Sequence, residues 1–324
     1  MKLVKRSRLL ILTLELLFVS SALLPSASAQ SEPCKETDLS NPYMGITTVR
    51  LWPGDAPEAK GQGCDDIPTL TMLKPQPGDA NGSAVIVFPG GAYMGLASIL
   101  EGREVADWYA SHGFTAFVLR YRLGKKYLLP VPLIDARRAV QFVRAHAAEY
   151  KIAPNRIVIT GFSAGGNLAA NAGTQPVEGK ADASDPVERV SSRPDYLVLG
   201  YPWIGGVSPD TSHLTYCKLV DIMDRCAEFQ KKFSPNLFVT KETPPTFIYH
   251  TTDDATVPVQ QALSFYEAEL NAGVPVEMHI FETGKHGSGL GKASPSLDQW
   301  PGLLETWLRS HGLLTMDQSL SGHK

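Results

Sequence analysis

The stretch "IVITGFSAGGNLAA", Ile157 to Ala170, decides how this chain is read. It opens on β-branched residues suited to a buried strand, passes a serine boxed in by glycines, and ends in helix formers. The pentad "GFSAG", Gly161 to Gly165, is therefore a G-x-S-x-G pattern on a strand-to-helix corner. A serine on such a corner adopts a strained backbone that leaves its hydroxyl exposed at the tip, and the small neighbours let strand and helix approach closely. Ser163 is a candidate nucleophile; a glycine-rich connector with an idle serine is the plain alternative.

Working outward, the chain alternates short apolar runs with amphipathic ones. "PTLTMLKP" reads as an edge strand, "AVIVF" as a buried strand, and Glu101 to His112 as a helix closed by Gly113. "FTAFVLRY" is the next strand, Ile134 to Tyr150 a helix, "RIVIT" a strand, and Asn167 onward a helix. "DYLVLGY", "PTFIYH" and "VEMHIF" follow as strands, with helices around Val259 to Asn271 and Trp300 to Ser310. This alternation predicts an α/β fold, a mostly parallel central sheet with helices on both faces. Residues 203–243 break the rhythm with Pro, Cys and charged residues and weak helical signals near Leu219 to Lys232. They read as an excursion above the carboxyl ends of the strands, where such segments shape a binding crevice, or as an ordinary surface connection.

A nucleophilic serine needs a base, and on this kind of corner the chain order is Ser, then Asp or Glu, then His. His279 sits inside a strand and His311 and His323 in the terminal stretch, whereas His286 in "TGKHGSGL" sits in a Gly-rich loop past the last strand. His286 is therefore the expected base. Asp253 and Asp254 both follow an earlier strand, and the D-x-x-V-P spacing favours Asp254 as the acid that fixes the imidazole tautomer. His250 reads as a packed strand-end residue. The oxyanion of an acyl-transfer reaction needs backbone donors from two places. One is Ala164, after the nucleophile; the other is the "PGGAY" loop, where Gly91 and Ala92 are the expected donors and Gly90 shapes the turn.

The N-terminus carries Lys2, Lys5, Arg6 and Arg8, then a mostly apolar run, then "ASAQ". That order reads as a secretory signal over residues 1–29, cleaved after Ala29, with an uncleaved anchor as the alternative. The run falls short of the roughly 20 apolar residues that a spanning helix needs. Residues 30–324 read as a single domain. Export lets the four cysteines pair, and of the three connectivities locality favours Cys34 with Cys64 and Cys217 with Cys226. No C-x-x-C or His/Cys cluster points to a metal, and a net charge of -3 without a basic run argues against nucleic acid.

"FPGGAY", "DARRAVQFVR", "APNRIVITGFSAGGNLAA", "SPNLFVTKETPPTFIYHTTDDATVPV" and "VEMHIFETGKHGSGL" together resemble exported α/β-hydrolases of the acetylxylan-esterase-like group, related to the feruloyl esterase and hormone-sensitive-lipase branches. Members of that group often bear the label endo-xylanase. The resemblance runs from "LWPGDAPEA" to "WLRSHG" and carries the nucleophile onto Ser163, the acid onto Asp254, the histidine onto His286 and the oxyanion loop onto Gly91 and Ala92. Pro89 stands where the lipase-like branch has His, and the excursion with Cys217 and Cys226 departs from the usual loop. The resemblance implies a secreted serine carboxylesterase that removes short acyl groups, above all acetyl, from plant polysaccharide, with no cofactor. A serine peptidase of the same fold and a non-catalytic hydrolase-like binding protein are the rival readings. Ala92 and Tyr93 should narrow the acyl side, and Trp203 either walls the acyl pocket, stacks on a sugar, or packs in the core.

Overall fold

The two most apolar stretches, "AVIVF" and "IVITGF", are strands buried along their whole length. A strand with no polar face must be covered on both sides, because alternate side chains point into different layers. The computed structural model, which describes residues 33–35, 46–205 and 212–314, supplies both layers. In chain order its elements are β1 (Thr47–Arg50), β2 (Thr69–Leu73), β3 (Ala84–Phe88), α1 (Glu104–Ser111), β4 (Thr115–Arg120), α2 (Val131–Ala145), β5 (Ile157–Phe162), α3 (Ala164–Thr174) and β6 (Tyr196–Gly200). There follow α4 (Ser212–Leu219), α5 (Cys226–Phe233), β7 (Thr246–Thr251), α6 (Gln260–Ala272), β8 (Val276–Phe281) and α7 (Trp300–Ser310). Ile86, Phe88, Ile157 and Ile159 enter a core with Val143 of α2, Leu168 of α3 and Phe265 of α6. Val85, Val87 and Val158 enter the other, with Tyr109 of α1 and Trp300, Leu304 and Leu308 of α7.

The described strands form one sheet in the order β1-β2-β4-β3-β5-β6-β7-β8. From β3 onward all pairings are parallel, with Ala84 opposite Ile157 and Phe88 opposite Gly161; β2 runs antiparallel to β1 and β4. The chain steps from β3 outward to β4, then crosses back to β5 on the other side of β3. A crevice opens at such a reversal, outside the carboxyl ends of the two strands. The loops after β3 and β5, "PGGAY" and the Ser163 corner, both leave from there. This is the α/β-hydrolase arrangement that the sequence resemblance implies.

Several boundaries differ from the sequence reading. "PTLTMLKP" is not an edge strand: β2 is buried throughout, and the short polar "TTVR" of β1 takes the edge. So short a strand has no apolar alternation of its own and is defined only by its pairing with β2. Helix α3 starts at Ala164, three residues before Asn167, because the poor helix formers Gly165 and Gly166 are held by packing against the sheet. Helix α2 spans Val131–Ala145 rather than Ile134 to Tyr150 and yields to turns after His146. The helix read from Glu101 begins as a π-helical turn, Ser98–Arg103, and continues as α1.

The described residues belong to one compact unit, and the expected secretory segment, residues 1–29, lies outside them. Among the described residues no helix is long and apolar enough to cross a membrane. Disulfides join Cys34 to Cys64 and Cys217 to Cys226, the latter linking α4 to α5.

The charges of "DARRAVQFVR" point inward. Asp135 receives the Arg122 guanidinium at 2.6 Å and the Arg122 backbone N–H at 2.9 Å, both side chains being essentially excluded from water. Arg122 also reaches Pro57 O at 2.6 Å. This pair fixes the chain just after β4, where Tyr121 donates its hydroxyl to Pro89 O and Gly124 N–H binds Tyr93 O, each at 2.7 Å. The loop after β3 is therefore buttressed from below. Removing one member of a buried ion pair strands the other charge, so Asp135→Ala should lose about 3–5 kcal/mol of stability in urea unfolding; a loss under about 1 kcal/mol would show that the pair holds nothing.

Candidate active site

Strand β5 ends at Phe162 and α3 begins at Ala164, so the whole reversal falls on one residue. Ser163 takes it at φ 52° and ψ -118°, a conformation that costs a side chain on the order of 1–3 kcal/mol. Three hydrogen bonds hold it there: its N–H to Gly200 O at 3.1 Å, and its carbonyl from Asn167 N–H and Trp203 N–H, each at 3.0 Å. The corner closes only because Gly165 lacks a side chain, whose first carbon would stand 2.6 Å from Pro89 O and overlap Phe88 O.

The structure brings Ser163, His286 and Asp254 into one hydrogen-bonded line. His286 Nε2 lies 2.8 Å from Ser163 Oγ, and His286 Nδ1 lies 2.7 Å from Asp254 Oδ2. The second Asp254 oxygen accepts the N–H groups of Thr256 and Val257 at 2.8 and 2.9 Å. Burial alone would raise the Asp254 carboxyl, but His286 and these two amides hold it below the usual carboxylate range. An ionised Asp254 fixes the proton of a neutral imidazole on Nδ1 and leaves Nε2 as acceptor toward the serine hydroxyl. The line can thus move a proton from Ser163 to His286 and stabilise the resulting imidazolium. Asp253 has another role, accepting Gly284 N–H at 2.8 Å and tying the loop after β8 to the loop after β7.

The other histidines read from the sequence do not hydrogen-bond to this line among the described residues, although His250 feels the charges of Asp254 and His286. His250 is wholly buried on β7 and receives Thr251 N–H at 2.9 Å, and burial lowers its pKa. His279 pairs with Glu277 at 2.8 Å, and His311 rests on Trp307. His323 lies outside the described residues.

The loop after β3 turns through three successive positive φ angles: Gly91 134°, Ala92 56° and Tyr93 57°. Among the described residues, the N–H groups of Gly91 and Ala92 donate to no protein acceptor. Ala92, Ala164 and Ser163 line one cavity of about 200 Å³, closed by Tyr93, Trp203, Tyr216 and Val257. Trp203 is only 7% exposed and packs on Tyr93 and Tyr216, which makes it a wall of the cavity rather than an open stacking platform. Tyr93 sends its hydroxyl to Asn167 Oδ1 at 2.8 Å, and Asn167 and Asn171 both donate to Phe233 O at 3.2 Å, which ties α5 to the nucleophile's helix. On the His286 side lies a larger groove of about 750 Å³, lined by Glu104, Asp253, Lys285 and Lys292 together with Leu100, Leu290 and Pro295.

Sequence reasoning missed Glu101, Tyr201, Asn167 and Asn171. Asn167 and Asn171 had one available signal: two amides four residues apart on an otherwise apolar helix have to be bonding to something.

The sequence model of the BD-FAE family matches residues 70–195 and 210–268. An acetylxylan esterase of Xylanibacter ruminicola is 31% identical over 72% of this chain and 47% of its own length. An endo-1,4-beta-xylanase B of Butyrivibrio fibrisolvens is 31% identical over 64% of this chain and 33% of its own. The chain thus spans about half, or less, of the length of these two relatives. The solved acetyl ester-xyloside bifunctional hydrolase from Caldicellulosiruptor lactoaceticus superposes with a TM-score of 0.72 at 37% identity, covering 83% of this chain and 97% of that one. Matched over more than half its length, the chain belongs to the BD-FAE family.

Proposed function

We propose that this protein is a secreted serine carboxylesterase that removes short acyl groups, foremost acetyl, from plant polysaccharide or its fragments. The observation that carries the reading is the hydrogen-bonded line from Ser163 through His286 to Asp254, opening into a small apolar cavity. Ser163 Oγ attacks the ester carbonyl while His286 Nε2 takes its proton, and the oxyanion is received by the amides of Gly91, Ala92 and Ala164. Collapse returns the proton from His286 to the leaving alkoxide, and water then repeats the cycle on the acyl-enzyme. Because the leaving oxygen must meet His286, the alcohol leaves on the side of the larger groove, and the acyl group occupies the cavity that His286 does not line. With a small apolar cavity on one side and, on the other, a broad groove that carries the charged groups of Glu104, Asp253, Lys285 and Lys292, the site suits an acetylated sugar, in keeping with the relatives named acetylxylan esterase and acetyl ester-xyloside bifunctional hydrolase. Export is supported by the pairing of Cys34 with Cys64 and Cys217 with Cys226 and by the signal-like segment over residues 1–29.

Residues that act as one unit fail together. Ser163→Ala should lower ester turnover by on the order of 10⁴ to 10⁶, and adding His286→Ala should lower it little further. Asp254→Asn should cost far more than Asp253→Asn, since only Asp254 faces the imidazole. Near-normal turnover by Ser163→Ala would end this reading.

Acyl size gives a second test, run on acetylated xylan, feruloyl esters, a peptide amide and p-nitrophenyl esters of rising chain length. The Ser163 cavity of about 200 Å³ has room beyond an acetyl group, since about 150 Å³ holds benzene; kcat/KM should therefore fall about tenfold or more once the chain exceeds butyryl and overpacks it by roughly 1–3 kcal/mol. Trp203→Ala should recover much of the loss on longer chains. A wild-type preference for octanoyl, or for the peptide amide, would replace the reading with a lipase or a peptidase.

A further inference from the structure

Beside the triad lies a second buried carboxylate. Glu101 sits in the π-helical turn Ser98–Arg103 and is 3% exposed. Such turns are frequent at functional sites. Both of its oxygens are engaged: Oε2 accepts Gly90 N–H at 2.7 Å, and Oε1 accepts the Tyr201 hydroxyl at 2.8 Å. The direction of the second bond is fixed, because the Tyr201 oxygen itself accepts Gly289 N–H at 3.0 Å and its one proton is left for Glu101. Gly90 precedes the oxyanion loop, and Gly289 lies three residues past His286. One carboxylate thus joins the loops that carry the oxyanion donors and the base.

The contact with His286 is close. Tyr201 packs edge-on against its imidazole with ring centroids 4.9 Å apart, and holds a positive φ of 36° to do so. Glu101 and His286 also feel each other's charge, the imidazole side lowering and burial raising the Glu101 carboxyl. The groups facing His286 are Asp254 from the loop after β7, Glu101 from the turn before α1, His250 from β7 and the Tyr201 ring, with Lys285 beside it in the chain. Glu101 itself faces the phenols of Tyr121, Tyr201 and Tyr249.

We propose that Glu101 is a positioning residue for the reaction, holding the oxyanion loop through Gly90 N–H and the His286 loop through Tyr201, and placing a second negative charge opposite the imidazolium formed during attack. This rests on the triad reading above. Two donors on two acceptor oxygens suit a carboxylate and no neutral isostere: in a glutamine the amide nitrogen would meet the Tyr201 proton, and one of the two tethers is lost.

The test compares Glu101→Gln, Tyr201→Phe and Ser163→Ala with the wild type on p-nitrophenyl acetate, with melting temperature and pH profile followed for each. Glu101→Gln should lower kcat about 10- to 100-fold, the range for hydrogen bonds to a charged group, and leave KM within a few-fold. Loss of the facing negative charge makes the protonated base less stable, so the acid limb of kcat/KM should move to lower pH. Tyr201→Phe removes a tether but keeps the charge; kcat should fall while the acid limb stays in place. An acid limb unmoved in Glu101→Gln, or a loss confined to melting temperature with kcat per folded enzyme unchanged, would overturn the proposal. Ser163→Ala separates the two ideas. If it stays active the triad reading fails, whereas an inactive Ser163→Ala beside a wild-type-like Glu101→Gln sinks only the role of Glu101.

Discussion

The candidate site depends on how closely the Ser163 corner can press against the loop leaving β3. The two strands are neighbours in register, with Phe88 opposite Gly161, so their following loops compete for the same space above the sheet. The competition is resolved by removing side chains on one side and by strain on the other. Gly165 gives way to the carbonyls of Phe88 and Pro89, while Ser163, Ala92 and Tyr93 accept positive φ. Conformations of this kind persist only where the surroundings over-determine them. Here those surroundings are the hydrogen bonds from Gly200, Asn167 and Trp203 at the corner and the Tyr121, Gly124 and Glu101 bonds under the loop.

The electrostatic arrangement follows from the same crowding. Asp254 and Glu101 both sit out of water near one imidazole, yet their settings differ. Asp254 takes two backbone amides and the imidazole, which outweigh its burial. Glu101 takes one amide and one phenol, and burial prevails. The carboxylate in direct contact with the imidazole is thus the more firmly ionised of the two.

The fold is legible in the sequence because it rests on strong local signals. "AVIVF" and "IVITGF" read as interior strands because they are short, apolar and rich in β-branched residues, and Trp300 to Ser310 reads as a helix because its apolar positions recur at helical spacing. Ser163, Asp254 and His286 stand out as a candidate set because each lies at the end of a readable strand and their order along the chain is constrained. What escapes the sequence is whatever depends on partners far along the chain. Glu101 looks like any acidic residue opening a surface helix, and only the fold places it against Tyr201, a hundred positions later. Strand β1 is equally silent, since "TTVR" has no pattern until β2 lies beside it. The starts of α2 and α3 are blurred by Pro132 and by Gly165 and Gly166, residues chosen for close packing and entry geometry rather than for helix propensity.

The Cys217–Cys226 link has a bearing on how this scaffold diversifies. It closes a short covalent loop between α4 and α5, and α4 delivers Tyr216 and Leu219 to the cavity wall. Neither Ser163, His286 and Asp254 nor the loop after β3 belongs to that segment, which meets α3 through Asn167 and Asn171 at Phe233 O. The staple thus stiffens one part of the cavity wall, while Tyr216, Cys217, Ile222 and Phe229 merge that part into the same core as Tyr93 and Trp203. Changes of lining at Tyr216 or Leu219 would reshape the cavity and leave the strained corner beneath it intact.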